Sequence, residues 1–382
     1  MIKYKIFINY FQKGGIDVNG TISRFMRYAD CASESHKEKA FCEYMEKELE
    51  GMGIPFERQH LGNEVITNGW NILAKVPGEA GKKPFLFVFH LDTATPGNPV
   101  KSYIENGRIQ SRDNSVLGAD GKLAIAVVLE AVSRLQEAGQ PHRPVELLFT
   151  VCQELGLYGS RYADYSKIES EEALVIDHYI TGEVLIRTPA RVKVNVELIG
   201  RSAHVIRNEE PGINALKTAV EIIRQIPTGR INENLSINVY DLVALSPSNV
   251  VPKYARFDME IRCFGDHVRE EICKTLRHIA EHTSLEAGCK CKYKEEQDVP
   301  EADFSRNTEM LNRLEGIYKK TKIPMIKARS FGVLDATWTD RLGIRTIPLG
   351  FNIYHSHSAR EYVVLEDVKK MLELAENIIR YF

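Results

Sequence analysis

Apolar runs that end abruptly in polar side chains recur along the chain. Residues 147–151 form one such run, and Gln153, Glu154 and Gly156 follow it closely. Other runs with the same ending lie at residues 85–89, 173–176 and 347–351. Such runs are typical of buried strands in a parallel sheet, and ligands bind at the carboxyl ends of those strands. The pattern therefore predicts an α/β fold in which the polar strand ends converge.

The pattern changes after Asp177. Residues 191–198 alternate between apolar and polar side chains, which predicts a strand with one solvent-exposed face. From there to about residue 294 the order is strand, helix, strand, strand, helix, strand, as in a ferredoxin-like α+β (βαββαβ) domain. Buried-strand patterning resumes after Asn307. We therefore predict a two-part catalytic domain with a second domain inserted into it, at residues 1–187, 188–297 and 298–382.

Two segments near the predicted strands carry local signals. Residues 35–38, Ser-His-Lys-Glu, match a capping box and predict a helix that ends near Gly51. Residues 90–120 are rich in Gly, Pro and Asn, which predicts a long surface loop. Long loops within compact domains are often functional.

Composition narrows the class of protein. The 382 residues are 43% hydrophobic and 27% charged, with a net charge of −2. This balance is typical of globular proteins and argues against nucleic-acid or membrane partners. The longest apolar runs are far shorter than the ~20 residues of a membrane span. Seven cysteines without a framework spacing indicate reduced thiols, so we expect a cytoplasmic protein.

Histidine and carboxylate side chains follow several of the predicted strands. His90 and Asp92 lie two apart at one strand end, where the carboxylate could fix the tautomer of a metal-binding ring. The alternative is a strand-end histidine beside a turn-favouring aspartate. Asp120 follows Gly-Ala and precedes a predicted helix, which is equally typical of a plain N-cap. Taken singly, these residues leave both interpretations open.

Taken together, the strand ends offer a metal-ligand set. It comprises two imidazoles and three carboxylates, at His90, Asp120, Glu154, Asp177 and His357. This set suits borderline divalent ions such as Zn²⁺, Co²⁺ or Mn²⁺. A carboxylate shared by two ions ~3.5–4 Å apart commonly holds a bridging water and lowers its pKa toward neutrality. The set therefore indicates hydrolysis.

The order of the motifs resembles that of the dinuclear zinc metallopeptidases typified by peptidase T and glutamate carboxypeptidase. The motifs are His-x-Asp, Gly-Ala-Asp, a strand followed by Glu-x-Gly, then Asp, Ser-Ala-His, Asn-Val-Val-Pro and His-x-x-x-Glu. The resemblance runs from about residue 22 to the last residue. It implies a mainly parallel sheet flanked by helices, an inserted lid domain, two divalent ions, a short peptide substrate and a homodimer formed through the inserted domain.

The resemblance also implies roles for the metal-binding residues. His90, Asp177 and His357 would be terminal ligands, with Asp120 as the bridge, Glu154 completing the set and Asp92 orienting His90. His355 competes with His357 for the last position. The family pairs this ligand with a glutamate four residues later, and Glu361 stands four residues after His357.

Three residues of the predicted inserted domain match motifs of the same family. His204 resembles the histidine that reaches a neighbouring subunit's active site and polarises the scissile carbonyl. Asn249 and Arg262 resemble the pair that holds the substrate's backbone and carboxylate. Arginine suits that role because its guanidinium can bind both carboxylate oxygens.

Two positions depart from the family pattern. Gln153 stands where the family has its acidic general base, and a neutral amide cannot take up a proton. Because general-base catalysis contributes ~10²–10⁴-fold, we expect a severe loss of turnover. Gly121 replaces the usual Asp or Asn after Asp120, which should alter the turn without removing a ligand.

The sequence therefore favours a metal-dependent hydrolase of short peptides, of the aminopeptidase or tripeptidase kind. Two alternatives remain open at this point. One is a catalytically impaired protein of the same fold that retains metal and binds peptides or amino-acid derivatives. The other is an amidohydrolase or deacylase of the same family.

Overall fold

The computed structural model describes residues 17–95, 100–112, 114–206 and 209–382. Residues 1–16 and the Pro96–Pro99 part of the predicted 90–120 loop lie outside the described residues. The helices are α1 (Asn19–Ala29), α2 (Lys39–Gly51), α3 (Ala119–Glu137), α4 (Gln153–Gly156), α5 (Tyr158–Arg161), α6 (Ala215–Gln225), α7 (Asp266–Glu286), α8 (Thr308–Lys320), α9 (Ala336–Arg341) and α10 (Leu365–Tyr381). The strands are β1 (Phe56–Gln59), β2 (Asn71–Val76), β3 (Phe85–His90), β4 (Ser102–Glu105), β5 (Arg108–Ser111), β6 (Val145–Thr150), β7 (Glu172–Ile176), β8 (Glu183–Thr188), β9 (Ala190–Ile199), β10 (Gly229–Asn232), β11 (Leu235–Val243), β12 (Tyr254–Cys263), β13 (Lys290–Val299), β14 (Ala302–Asp303), β15 (Ile326–Arg329), β16 (Arg345–Leu349) and β17 (Tyr362–Val364).

The described residues divide into two compact units. The second unit consists of residues Thr188–Ala302 and Ser330–Val333, and the remaining described residues form the first. The sequence had placed the end of the inserted domain at residue 297. The second unit continues to Ala302 because β13 extends to Val299, well beyond the predicted strand end near residue 294.

The first unit is built on a mainly parallel sheet. Its strand order is β1-β2-β6-β3-β7-β16-β8-β14, with β15 beside β8. The central pairs β6–β3, β3–β7 and β7–β16 are parallel, whereas β1–β2, β2–β6 and β16–β8 are antiparallel. Every residue of β3 and β6 is buried, which explains why both strands are mostly apolar. The predicted α/β sheet is confirmed.

Helices cover this sheet. α1 and α10 pack against α3, and α3 also contacts β3. In α10 the buried residues recur every three or four positions, as expected for a helix with one apolar face. None of the helices in the described part of the chain is both long and apolar enough to cross a membrane. All seven cysteines are free thiols.

The predicted long loop contains a β-hairpin, so the loop prediction is wrong for residues 102–111. β4 and β5 pair antiparallel across Asn106 and Gly107, and β17 completes a three-stranded sheet. Asn106 has φ 50° and Gly107 has φ 72°. Positive φ at both central residues suits the tight turns of two-residue hairpins, for which Asn-Gly is a preferred pair.

The predicted capping box is also wrong. α2 begins at Lys39, and its N-cap residue Glu38 makes no side-chain cap hydrogen bond. Ser35 Oγ instead donates to Asp92 Oδ2 at 2.6 Å, so this hydroxyl connects the segment between α1 and α2 to the end of β3. The Ser35 hydroxyl, which the local sequence pattern assigned to the start of the helix, therefore bonds the distant Asp92 instead.

The second unit has a five-stranded antiparallel sheet in the order β10-β11-β12-β9-β13. Without the short hairpin strand β10, the chain order is strand, helix, strand, strand, helix, strand, which agrees with the ferredoxin-like plan. The alternating apolar residues of β9 form a core with α6 and α7 residues such as Ile222 and Leu276. The polar residues between them lie on the other face.

Candidate metal centre

Three of the five proposed ligands meet at the ends of β3 and β7 and the start of α3. His90 Nε2 lies 3.3 Å from Asp120 Oδ1 and 3.9 Å from Asp177 Oδ1. All three side chains are buried, and their ligand atoms lie within 4.8 Å of one another. Strand ends that are distant in sequence therefore bring one imidazole and two carboxylates into a single group, called here group A.

A second group lies directly beside the first. His357 Nε2 lies 2.9 Å from Asp120 Oδ2 and 3.2 Å from Glu154 Oε1. The ligand atoms of Asp120, Glu154 and His357 again lie within 4.8 Å of one another, and these residues are called group B. Asp120 belongs to both groups, because Oδ1 faces His90 and Oδ2 faces His357.

The ionisable side chains of the site shift one another's pKa values. Burial and the charge of Asp120 raise the pKa of the Asp177 and Glu154 carboxyls. Burial alone would lower the pKa of His90, but hydrogen bonds to Asp120 and Asp92 raise it well above the usual value. The neighbouring Asp120 and Glu154 carboxylates raise the pKa of His357 to about 11. Both imidazoles therefore bind a proton more tightly than an ordinary histidine does, because the neighbouring carboxylates attract positive charge.

The Asp92 carboxylate links the end of β3 to the segment that follows β6. Its carboxylate accepts hydrogen bonds from the backbone N–H groups of Gln153 at 3.0 Å and Glu154 at 3.1 Å, as well as from Ser35. His90 Nδ1 lies 3.0 Å from the backbone oxygen of Asp92 and 3.5 Å from its carboxylate. Asp92 therefore contacts the His90 ring, as expected, and also positions the segment that carries Glu154.

Gly121 is required by the close packing around Asp120. Asp120 and Gly121 are not helical, and Gly121 has φ 72°. A Cβ atom at Gly121 would lie 2.4 Å from the backbone oxygen of His90 and 2.9 Å from His90 Nε2. Gly121, which departs from the family pattern, thus allows a turn that packs tightly against His90. None of the proposed ligands is lost by this departure.

Glu361 holds the other side of the same turn. Its Oε2 accepts hydrogen bonds from the N–H groups of Gly118 at 2.7 Å and Ala119 at 3.3 Å. Burial and the charge of Asp120 raise the pKa of Glu361 to about 7. The glutamate four residues after His357 therefore supports the segment that presents Asp120.

Gln153 points at a proposed ligand. Its Nε2 donates to Asp177 Oδ2 at 2.7 Å, and only 7% of the residue is exposed. Cys152 precedes it in a left-handed conformation with φ 54°, which turns the chain sharply out of β6. The amide is thus a hydrogen-bond donor to group A, at the position where the motif resemblance predicts an acidic side chain.

His357, and not His355, joins the cluster. The His355 ring packs near Tyr362, with ring centroids 5.8 Å apart, whereas His357 Nε2 contacts Asp120 and Glu154. The pairing with Glu361 had favoured His357, and the geometry agrees with that choice.

Sequence reasoning missed two residues at this site. Tyr179 donates its hydroxyl to Asp120 Oδ2 at 2.9 Å, and its position two residues after Asp177 could have signalled it. Asp335 accepts 2.6 Å hydrogen bonds from Thr150 and Ser160 behind the cluster, and Thr150 is the register partner of His90. Asp335 stands just before α9, so the sequence alone would suggest an ordinary N-cap.

The remaining predicted residues lie in the second unit. His204 forms an isolated β-bridge with Val250, and Val205 N donates to Asn249 O at 3.0 Å, so His204 and Asn249 lie on adjoining segments. Arg262, on β12, pairs with Glu260 at 2.6 Å and donates to a backbone oxygen at 2.9 Å. The substrate-binding roles of these three residues remain predictions.

Known proteins are similar to this chain over nearly its whole length. The chain is 24% identical to YqjE of Bacillus subtilis over 359 residues, which is 94% of this chain and 97% of YqjE. The crystal structure of aminopeptidase PepT from Bacillus cereus matches with a TM-score of 0.82 and 26% identity, covering 96% of this chain and 99% of PepT. A tripeptidase from Staphylococcus aureus has the same fold, with a TM-score of 0.88, 20% identity and the same coverage of both chains.

The family assignment follows from a match to a family profile. The sequence profile of Peptidase family M20/M25/M40 matches residues 86–381, most of the chain. This confirms the resemblance inferred from the motifs and agrees with the candidate ligands gathered at the strand ends. The chain therefore belongs to Peptidase family M20/M25/M40, a family of metal-dependent peptidases.

Proposed function

We propose that the protein is a peptidase of the peptidase T type that binds two divalent ions and hydrolyses amide bonds in short peptides. One observation carries this proposal: Asp120 presents one carboxylate oxygen to group A and the other to group B. A shared carboxylate between two ligand groups is the usual arrangement in two-metal hydrolases. Zinc is the favoured ion, with cobalt or manganese as alternatives.

The residues of the site fit such ions. Three carboxylates and two imidazoles are the oxygen and nitrogen donors that zinc, cobalt and manganese accept. Glu154 Oε1 is buried and makes no hydrogen bond among the described residues, although it lies 3.2 Å from His357 Nε2. A buried carboxylate oxygen without a donor is costly, and a cation would compensate for it.

Bound divalent ions would polarise a substrate carbonyl and acidify water. The chain itself supplies positions and hydrogen bonds. Asp92 and Glu361 hold the segments of Glu154 and Asp120, as described above. Gln153 donates to Asp177 and cannot take up a proton, so it does not replace a general base. We therefore expect this protein to turn over substrate slowly compared with other members of the family.

The substrate is proposed to be a short peptide. The similarity to an aminopeptidase and a tripeptidase supports this choice. Arg262 and Asn249 would hold the substrate's carboxylate and backbone, and His204 would polarise its carbonyl, in a homodimer formed through the second unit. Glu260 holds the Arg262 guanidinium in a fixed orientation, and a fixed planar fork suits carboxylate recognition.

Gln153 supports a second candidate function. If its amide abolishes turnover, the protein would bind metal ions and peptides or amino-acid derivatives without cleaving them. The hydrogen bond to Asp177 favours this possibility, because it commits the amide to a structural contact with a ligand. The two functions share the metal centre and differ only in hydrolysis.

The test is a hydrolysis assay on protein that has been stripped with chelator and reloaded with Zn²⁺, Co²⁺ or Mn²⁺. The substrates are dipeptides, tripeptides, longer peptides and N-acyl amino acids. We expect slow, metal-dependent cleavage of short peptides that is lost in Asp120→Ala. Peptide binding without cleavage would support the second candidate, and preferred cleavage of N-acyl amino acids would support a deacylase. A protein that binds neither metal ions nor peptides would contradict all of these functions.

A further inference from the structure

We propose that the Tyr179 hydroxyl oxygen is a fourth metal-binding donor, which joins Asp120, Glu154 and His357 of group B. The inference rests on the metal centre of the proposed function and extends it by one ligand. Tyr179 lies on the segment after β7, two residues beyond Asp177 of group A. The segment after β7 would thus supply a ligand to each group.

The distances around the hydroxyl carry the inference. Tyr179 Oη lies 2.9 Å from Asp120 Oδ2 and 3.3 Å from His357 Nε2, and those two atoms are 2.9 Å apart. Ligand atoms bound ~2.0–2.1 Å from a tetrahedral zinc ion are about 3.3 Å from one another. The hydroxyl is therefore spaced from two proposed ligand atoms as a further ligand of the same ion would be.

The backbone around Tyr179 is held in place on both sides. Phe351 N donates to His178 O at 2.8 Å, and Ile353 N donates to Tyr179 O at 3.3 Å. Gly350 packs so closely that a Cβ atom there would lie 2.2 Å from the backbone oxygen of Ile180. A ligand on an anchored segment loses little freedom when it binds a metal ion.

The orientation of the ring fits the same role. The Tyr179 and His357 rings meet edge to face, with centroids 6.1 Å apart and an interplanar angle of 71°. The His357 side chain is 42% exposed. Group B is therefore more open to solvent than group A, whose three residues are buried. Tyr179 would complete a set of one nitrogen and three oxygen donors. On binding, the hydroxyl proton now donated to Asp120 would leave to the solvent.

The competing explanation is that the hydroxyl only supports Asp120 through its hydrogen bond. Tyr179→Phe and Tyr165→Phe are compared by zinc affinity and by copper spectrum. The spectrum separates the two explanations, because only a directly bound phenolate gives a charge-transfer band. Tyr165 is a matched control because its hydroxyl donates to a backbone oxygen, Ser160 O at 3.0 Å, away from the proposed ligands.

Metal titration is the first measurement. For Tyr179→Phe we expect the affinity for one of two zinc ions to fall by about tenfold or more, with the other ion and Tyr165→Phe unaffected. The second measurement is the visible spectrum of the protein loaded with Cu²⁺. A phenolate-to-copper charge-transfer band should appear in the unaltered protein and in Tyr165→Phe, and should be absent in Tyr179→Phe.

The outcomes distinguish the inference from the function on which it rests. Unchanged zinc affinity in Tyr179→Phe, or the lack of a charge-transfer band in the unaltered copper-loaded protein, would overturn the tyrosine ligand and leave the metal centre standing. If the unaltered protein binds no divalent ion, the proposed function fails as well. The copper spectrum of the unaltered protein tests the inference even if the phenylalanine variant does not fold.

Discussion

The Gln153 amide donates a 2.7 Å hydrogen bond to the Asp177 carboxylate in the buried part of the metal centre. Asp177 already lies close to Asp120, and burial together with that neighbouring charge raises the pKa of the Asp177 carboxyl. A third carboxylate at position 153 would add to the repulsion, whereas an amide relieves it. Gln153 therefore stabilises group A through its hydrogen bond to Asp177. It cannot accept a proton.

The variant Gln153→Glu should increase peptide hydrolysis. A carboxylate at this position can accept a proton, and general-base catalysis contributes ~10²–10⁴-fold. We expect kcat to rise within that range on a short peptide, with the thermal stability of the metal-free protein reduced by the added charge. Steady-state kinetics of both proteins, loaded with the same metal, provide the measurement.

Gln153→Leu is the control for this experiment, since leucine neither donates nor accepts a hydrogen bond. It should show no gain in hydrolysis. If Gln153→Glu is as inactive as the unaltered protein while both bind metal, the binding function is favoured over a peptidase impaired at this residue.

Gly121→Ala should destabilise the protein and weaken metal binding. A left-handed conformation strains alanine by about 1–3 kcal/mol, and the new Cβ would also press on His90. Gly139→Ala is the matched control, because Gly139 also has positive φ but has no atom within 4 Å of its Cβ position. Urea unfolding and zinc titration should show losses in both properties for Gly121→Ala, and a loss of stability only for Gly139→Ala. Equal zinc affinity in the two variants would contradict the role given to Gly121.

The sequence predicted the catalytic sheet well because its signal is local. Buried strands such as β3 are nearly continuous apolar runs, and the predicted run at residues 85–89 lies within the observed β3. The hairpin at residues 102–111 was missed although Asn106-Gly107 is a strong local signal. Turn chemistry was outweighed there by the many loop-forming residues around it.

The site was harder to predict where contacts join distant segments. His357 could be chosen over His355 from the spacing to Glu361 alone. The contact of Ser35 with Asp92 spans 57 positions, and local pattern suggested a helix cap instead. Asp335 carries no distinctive motif, so only the folded chain shows that it lies behind the cluster and bonds Thr150 and Ser160.

Metal binding should strengthen as pH rises and should release protons. The pKa values of His90 and His357 are raised in the metal-free protein, that of His357 to about 11, and a metal ion must displace their protons. The protonated histidines stabilise the metal-free fold fully below the ordinary histidine pKa of about 6.5, and this contribution is lost as pH rises toward the folded values.

The thermal stabilisation produced by zinc should therefore widen as pH increases from about 6.5. Calorimetric titrations in buffers with different ionisation enthalpies measure the protons released. A binding enthalpy that does not depend on the buffer would contradict the protonated state described for the two histidines.

Ser35→Ala should destabilise the junction between the α1–α2 connection and the end of β3. Hydrogen bonds to charged groups contribute about 1.5–3 kcal/mol, and the Asp92 carboxylate would lose one of its three donors from Ser35, Gln153 and Glu154. Ser133→Ala removes a longer, exposed bond to Glu137 and should change the free energy of unfolding by less than about 0.5 kcal/mol. Urea unfolding compares the two. Equal effects would show that Ser35 makes no special contribution.

The central claim is that Asp120 joins two metal-binding groups. Metal analysis of chelator-stripped protein, reloaded with zinc and dialysed, tests it most directly. We expect two zinc ions per unaltered chain, and for Asp120→Ala at most one, because each group loses a ligand atom. Fewer than one zinc ion per unaltered chain, or two ions retained by Asp120→Ala, would contradict the claim.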